Sequence, residues 1–118
     1  SMADPELAPA GEYSMQAINQ IVGFKNIEHK IVKTKNVRDA VNYLRLGLSE
    51  AVFAYTTDFN TYPHRIFKKN IPSHLHDQIE YPIIYFKSND NIKKFEEYLY
   101  TDEAKNIFIN YGFKISKD

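Results

Sequence analysis

The stretch "APAGEYSMQAINQ", residues 8–20, opens a helix without a capping side chain. A helix start normally carries Ser, Thr, Asp or Asn, whose side-chain oxygen accepts one of the exposed backbone N–H groups. Here Ala10 and Gly11 offer only those N–H groups. Bare amides are tolerable when water covers them or when another molecule binds them.

Helical and extended segments alternate through the first half of the chain. Residues 11–22 carry apolar side chains at helical spacing, and residues 29–35 alternate like a short strand. A second helix follows Asn36, which serves as its N-cap, and it ends at Gly47. The continuous apolar run at 51–56 predicts a strand covered on both faces. This order indicates an α/β fold with a parallel or mixed sheet.

The second half of the chain has a different organisation. Residues 64–69 and 80–86 are predicted as strands, and Pro82 places the second of them at an edge or a bend. Two helices follow, and Thr101 is the N-cap of the second. The pair Gly112–Phe113 predicts a Schellman ending, in which the aromatic ring folds back onto the last helical turn.

Composition excludes several classes of protein. The 118 residues suit one domain, and the formal net charge of zero argues against nucleic-acid and membrane-surface roles. Cysteine is absent, so the chain has no disulfide or thiolate metal site. No apolar run is long enough to insert in a membrane. We treat Ser1 as a tag remnant that precedes a start at Met2 and exclude it from the interpretation.

The chain offers no set of residues for catalysis or for a metal. Asp58 and Asp77 are not paired with a nucleophile. Three histidines lack a carboxylate or a third ligand at useful spacing: His64, His74 and His76. We therefore expect no enzyme activity, no metal and no cofactor.

Three neutral donors form the candidate site. The helices that open at Ala10 and Val37 expose backbone N–H groups and the positive ends of their dipoles, which favour anions. Tyr55 closes the run 51–56, and ligands of open α/β sheets collect beyond the carboxyl ends of strands. Each feature alone also has an ordinary explanation as a turn, a cap or a rim aromatic. Arg38 is expected to form a structural salt bridge.

Five motifs in order resemble the periplasmic molybdate-binding proteins of ABC importers. The resemblance runs over nearly the whole chain, and the gaps between the motifs also conform. The motifs are "ADPELAPAGEY" (3–13), "NVRDAV" (36–41), "AYTTD" (54–58), "EYPI" (80–83) and "EAKNIFINYGF" (103–113).

The resemblance implies a fold, a ligand and a site. The fold would be one lobe of the type II periplasmic-binding-protein class, an α/β lobe with a mixed sheet flanked by helices. Residues 1–118 would form a single domain, in which 3–79 are the second ligand-binding lobe and 80–118 return to the first. The amides of Ala10 and Val37 and the Tyr55 hydroxyl would bind molybdate or tungstate for transfer to an ABC permease.

The first lobe of that family, with two serines that complete the site, has no counterpart in this chain. We read the chain as a cut piece of a longer protein, or as the product of a truncated or split reading frame. Three donors alone supply about 5–9 kcal/mol, and lost translational and rotational freedom costs about 4 kcal/mol or more. The expected affinity is therefore roughly millimolar, or binding is absent. Periplasmic location rests on the resemblance alone.

The missing lobe also leaves apolar helices without a covering surface. The helices of the C-terminal segment are rich in aromatic residues, which would normally cover the first lobe. We therefore expect a homodimer, and a compact monomer is the alternative. The rival function is a non-binding interaction module that self-associates or complements a separately encoded first lobe.

Overall fold

The computed structural model describes residues 1–60, 62 and 66–116. The chain divides into two compact units, Ser1–Ile79 and Glu80–Asp118. The assignment of the whole chain to a single domain stays a prediction. None of the helices within the described ranges is long and apolar enough to cross a membrane.

The first unit alternates strands and helices. Its strands are β1 (Met2–Ala3) and β2 (Lys33–Thr34), and its α-helices are α1 (Pro9–Ile21), α2 (Phe24–Ile27) and α3 (Val37–Arg45). Three short 3₁₀ helices complete it: Glu28–Lys30, Thr56–Phe59 and Ser73–Leu75.

The sheet of this unit is parallel. β1 pairs with β2 in the register Met2 to Lys33 and Ala3 to Thr34. On the other side of β1, the Ser1 amino group donates to Ala51 O at 2.7 Å and Phe53 N donates to Ser1 O at 3.0 Å. Two such bonds around one residue form the parallel pattern, so β1 lies between β2 and residues 51–53.

Both faces of β1 are covered. Met2 and Ala3 are 0% and 1% exposed, and successive side chains of a strand point to opposite faces. Met2 belongs to an apolar cluster with residues of α1 and α2. Ser1 lies on the opposite face, where its Oγ donates to Ala40 O in α3 at 2.9 Å. Helices α1 and α3 therefore cover opposite faces, as right-handed crossovers require.

Several sequence predictions for this unit are corrected. Of the strand predicted at 29–35, only Lys33–Thr34 pairs, because residues 28–30 form a 3₁₀ helix. Residues 51–55 form no assigned strand, Thr56 begins a 3₁₀ helix, and the six residues are exposed or half-buried, not covered on both faces. Two backbone hydrogen bonds, both with Ser1, join this segment to the sheet. Ser1, although interpreted as a tag remnant, is thus part of the packing.

The remaining predicted strands do not form. Residues 64 and 65 lie outside the described part of the chain, and residues 66–69 and 80–86 adopt no strand. Within the described ranges the sheet contains only parallel pairs, so the expected mixed sheet is present only as its parallel part. A segment rich in residues of high strand propensity forms a strand only where a neighbouring strand pairs with it by hydrogen bonds.

The second unit contains helices α4 (Asp90–Leu99) and α5 (Asp102–Asn110). Thr101 caps α5, since its Oγ1 accepts from Ala104 N at 3.3 Å. The helix ends in the predicted Schellman motif, with Gly112 at φ 89° and Phe113 N donating to Phe108 O at 3.0 Å. The rings of Phe108 and Phe113 meet edge to face at 6.1 Å. The predicted cap and ending of this helix are confirmed.

Gly11 explains the bare start of α1. A Cβ atom placed on Gly11 would overlap Ala3 O and would lie 2.6 Å from both Asp4 C and Pro5 N. The first turn of α1 therefore packs directly on the backbone that leaves β1, at a distance that only glycine permits. This close approach fixes the neighbouring Ala10 amide at the end of β1.

We predict that Gly11→Ala destabilises the chain by about 1–3 kcal/mol, because the added methyl group overlaps backbone that cannot move aside. Helix propensity alone predicts the opposite sign, since Ala is favoured over Gly in a helix by about 1 kcal/mol. Urea unfolding followed by circular dichroism measures the difference. Glu12→Ala, at an exposed position of the same helix, is the control and should change stability by less than about 0.5 kcal/mol. A stabilised Gly11→Ala variant would contradict this packing.

Candidate oxyanion site

Three chain segments leave the sheet at the same edge. β1 leads into α1, β2 leads into α3, and residues 51–53 lead into the 3₁₀ helix Thr56–Phe59. Because the three extended segments run parallel, their carboxyl ends lie together. The topology therefore brings the three residues predicted from the sequence, Ala10, Val37 and Tyr55, to one edge of the sheet.

The start of α1 leaves one backbone donor without a partner. The N-cap residue Ala8 forms no side-chain hydrogen bond, and Pro9 has no N–H. Gly11 N donates to Ala8 O at 2.9 Å. The N–H of Ala10, which lies between Pro9 and Gly11, forms no hydrogen bond in the part of the chain that the structure describes. Ala10 itself is buried, with 8% of its surface exposed.

The start of α3 is capped in a way that spares its first amide. The Asn36 side chain accepts from Asp39 N at 2.9 Å, which satisfies the third donor of the helix. The Oγ1 atom of the buried Thr34 lies 2.8 Å from Asn36 O and holds the cap residue to β2. Among the described residues, no acceptor lies within reach of the Val37 N–H.

Tyr55 is held by its backbone on both sides. Its N–H donates to Asp58 Oδ2 at 2.8 Å, and Asp58 N donates to Tyr55 O at 3.1 Å. This reciprocal pair closes the 3₁₀ turn Thr56–Phe59 directly after Tyr55. The half-buried Tyr55 side chain therefore starts from a fixed backbone position at the edge of the sheet.

At this edge of the sheet, the carboxyl group of Asp58 has a pKa that its surroundings shift. Partial burial raises the pKa of its carboxyl group, opposed by the hydrogen bond from Tyr55 N and by the positive charge of Arg38. The expected salt bridge of Arg38 is not found: in the described ranges Arg38 forms no ion pair and acts on Asp58 at longer range. Its side chain is exposed, which favours solvation over pairing.

Sequence reasoning missed the residues that position the donors. The sequence predicts a role only for the Gly11 amide, yet the absence of a side chain at Gly11 sets the approach of α1 to β1. Thr34 joins the cap of α3 to the sheet, and Asp58 joins Tyr55 to the following turn. Three sequence features could have indicated these roles. They are the glycine after Pro-Ala (Gly11), the threonine near the end of an alternating run (Thr34) and the aspartate three residues after a tyrosine (Asp58).

The other candidate side chains within the described ranges lie outside this site or contribute to packing. Asp77 exchanges two 2.8 Å hydrogen bonds with the Gln16 side chain of α1, and the His76 ring lies 6.1 Å from that of Tyr13. These contacts fasten the segment after Ser73–Leu75 to α1. Within the described ranges no group of three His, Cys, Asp or Glu could hold a metal ion. His64 lies outside those ranges.

Comparison with known proteins matches this architecture to a family. Residues 1–114 match the family described as bacterial extracellular solute-binding protein. The chain belongs to this family. Its α/β architecture, with a small parallel sheet between helices, is consistent with one lobe of a periplasmic-binding-protein fold.

Three relatives share 26–30% of their aligned residues with this solute-binding protein. A putative ABC transporter substrate-binding lipoprotein of Bacillus subtilis is 30% identical over 96% of this chain and 45% of that protein. The molybdate-binding protein ModA of Haemophilus influenzae is 27% identical over 96% of this chain and 45% of its own length. ModA of Escherichia coli is 26% identical over 98% and 46%. The chain therefore spans about half the length of these relatives.

We predict that stability falls as pH rises through the titration of Asp58. Because burial raises its pKa in the folded chain above the unfolded value of about 3.9, the native state holds more protons between the two values. Asp58→Asn removes this titration, so the variant should gain stability relative to the parent between about pH 4 and pH 7. Urea midpoints measured across this range test it.

Asp77→Asn is the matched control, because Asp77 is exposed and its carboxylate also accepts one N–H group. The control should retain the pH dependence of the parent chain. Equal pH profiles for the parent and Asp58→Asn would show that the carboxyl group is not desolvated in the native state.

Proposed function

We propose that this chain is the second-lobe part of a solute-binding protein that carries molybdate or tungstate to an ABC permease, and that it is not an enzyme. The oxyanion would be bound by the Ala10 and Val37 amides and the Tyr55 hydroxyl. One observation supports this most strongly: two helices begin at the same sheet edge, and each leaves its outward backbone donor without an acceptor in the described part of the chain.

The chemistry of the donors suits a fully ionised tetrahedral anion. Backbone amides and a phenol carry no charge, and two helix dipoles add positive potential at the same edge. Such a site needs no proton from the ligand and no nearby cation, which agrees with Arg38 being solvent-exposed. Size selection between molybdate, tungstate, sulfate and phosphate would require the closed cavity of a two-lobed protein.

The expected affinity follows from the number of donors. Three hydrogen bonds to a charged group supply about 5–9 kcal/mol, from which association costs of about 4 kcal/mol or more are subtracted. The remainder corresponds to about millimolar binding. In a complete protein, the first lobe would add two serine hydroxyls and enclose the ion, and the complex would meet its permease in the periplasm.

Val37→Pro tests the amide directly, because proline is tolerated at the first position of a helix but carries no N–H. Asn36 already has the extended backbone, φ −154° and ψ 170°, that a following proline requires. We predict that the parent chain binds molybdate at about millimolar concentration and that Val37→Pro weakens binding at least about tenfold. Molybdate titrations followed by NMR measure both.

Val37→Ala is the control, since it shortens the side chain and keeps the amide. It should bind molybdate within about threefold of the parent. Equal binding by Val37→Pro and Val37→Ala would contradict a role for this amide. Micromolar affinity of the parent chain for molybdate would contradict the interpretation that its site is incomplete.

A second candidate function, self-association, is favoured by the surface of the second unit. Within its described residues Ala104 is the only buried one, and residues 81–90 are all exposed. The large apolar side chains among them include Ile84 at 71% and Phe86 at 96% exposure. Apolar surface of this extent usually marks an interface, so the unit would pair with a second copy or with a separately encoded first lobe.

If the chain functions by self-association, it forms a dimer whose interface includes Phe86. We predict that Phe86→Ser shifts the dimer toward monomer, because the substitution removes apolar area from the contact. Light scattering during size exclusion, over a range of concentrations, measures the shift. Phe67→Ser is the matched control, since Phe67 is equally exposed at 94% but lies in the first unit. A strict monomer at every concentration removes self-association.

A further inference from the structure

Asp58 has features that a surface turn does not require. Its carboxylate is half-buried, and burial raises its pKa, so ionisation at this position is unfavourable. A neutral Asn could close a 3₁₀ turn without that disadvantage. Titratable groups whose pKa values are shifted by burial occur more often at functional sites than elsewhere.

The contacts of Asp58 hold one of the three proposed anion donors. Its Oδ2 accepts the Tyr55 N–H at 2.8 Å, and its own N–H donates back to Tyr55 O at 3.1 Å. The positive charge of Arg38, in the first turn of α3, opposes the rise in the pKa of Asp58, but no ion pair joins the two side chains in the described ranges.

We propose that Asp58 is a positioning residue of the oxyanion site, which holds the backbone of Tyr55 in place at one sheet edge. This inference rests on the proposed function, because the positioned group is one of its donors. Asp58 would not touch the ion, since its charge would repel a dianion. Its carboxylate instead accepts the Tyr55 N–H.

The first experiment needs no ligand. In ¹⁵N-labelled parent chain and in Asp58→Asn, the Tyr55 amide should exchange slowly with solvent, because both side chains offer an acceptor oxygen. In Asp58→Ala, exchange should be at least about tenfold faster. Asp77→Asn, the control, should leave the Tyr55 amide unchanged. An unaltered Tyr55 exchange rate in Asp58→Ala would overturn the proposal.

The second experiment adds molybdate to the same samples. Asp58→Ala should weaken binding about tenfold or more, and Asp58→Asn should restore it to within about threefold of the parent. Thermal unfolding of each variant separates this effect from general loss of stability. An Asn variant that binds as weakly as Ala, or an Ala variant with parent affinity, would overturn positioning by the acceptor oxygen.

The two experiments fail separately. If the parent chain shows no molybdate-dependent shift, the proposed function fails, and the exchange measurement still decides whether Asp58 positions Tyr55. If the parent binds molybdate and the exchange result is negative, the site stands and the role of Asp58 does not.

Discussion

The parallel pairing of β1 and the preceding Ser1 with a neighbouring segment on each side is the constraint on which the candidate site depends. Met2 and Ala3 pair with β2, and Ser1 pairs with residues 51–53. Parallel pairing places three carboxyl ends together, and each end is followed by a helix or 3₁₀ helix start. Without this pairing, Ala10, Val37 and Tyr55 would be three unrelated turns.

Local sequence predicted the helices well because their signals are local. Asn36 and Thr101 cap helices where the sequence placed them, and Gly112 ends α5 with the expected backbone geometry. The Ala10 and Val37 amides that lack a hydrogen-bond partner in the described residues also follow from residue types alone, since a cap that is missing, or that serves a later amide, can be recognised in sequence.

Strands and positioning residues depended on distant partners and were harder to predict. Residues 51–56 and 80–86 have strand composition, yet hydrogen-bonding neighbours decide whether they pair. Gly11 and Asp58 gained their roles only in the fold, where one meets the backbone after β1 and the other meets Tyr55 N. The resemblance to molybdate-binding proteins supplied the ligand, which no local pattern contains, and family membership supports it at the level of solute binding.

The central claim is that one ion can reach donors from both helix starts at once. A crystal of the chain soaked in tungstate, examined by anomalous scattering, tests it most directly. The account predicts one tungsten peak at the carboxyl edge of the sheet, with oxygen atoms about 2.7–3.2 Å from the nitrogen atoms of both Ala10 and Val37. A peak that contacts only one of these amides, or no peak at this edge, would contradict it.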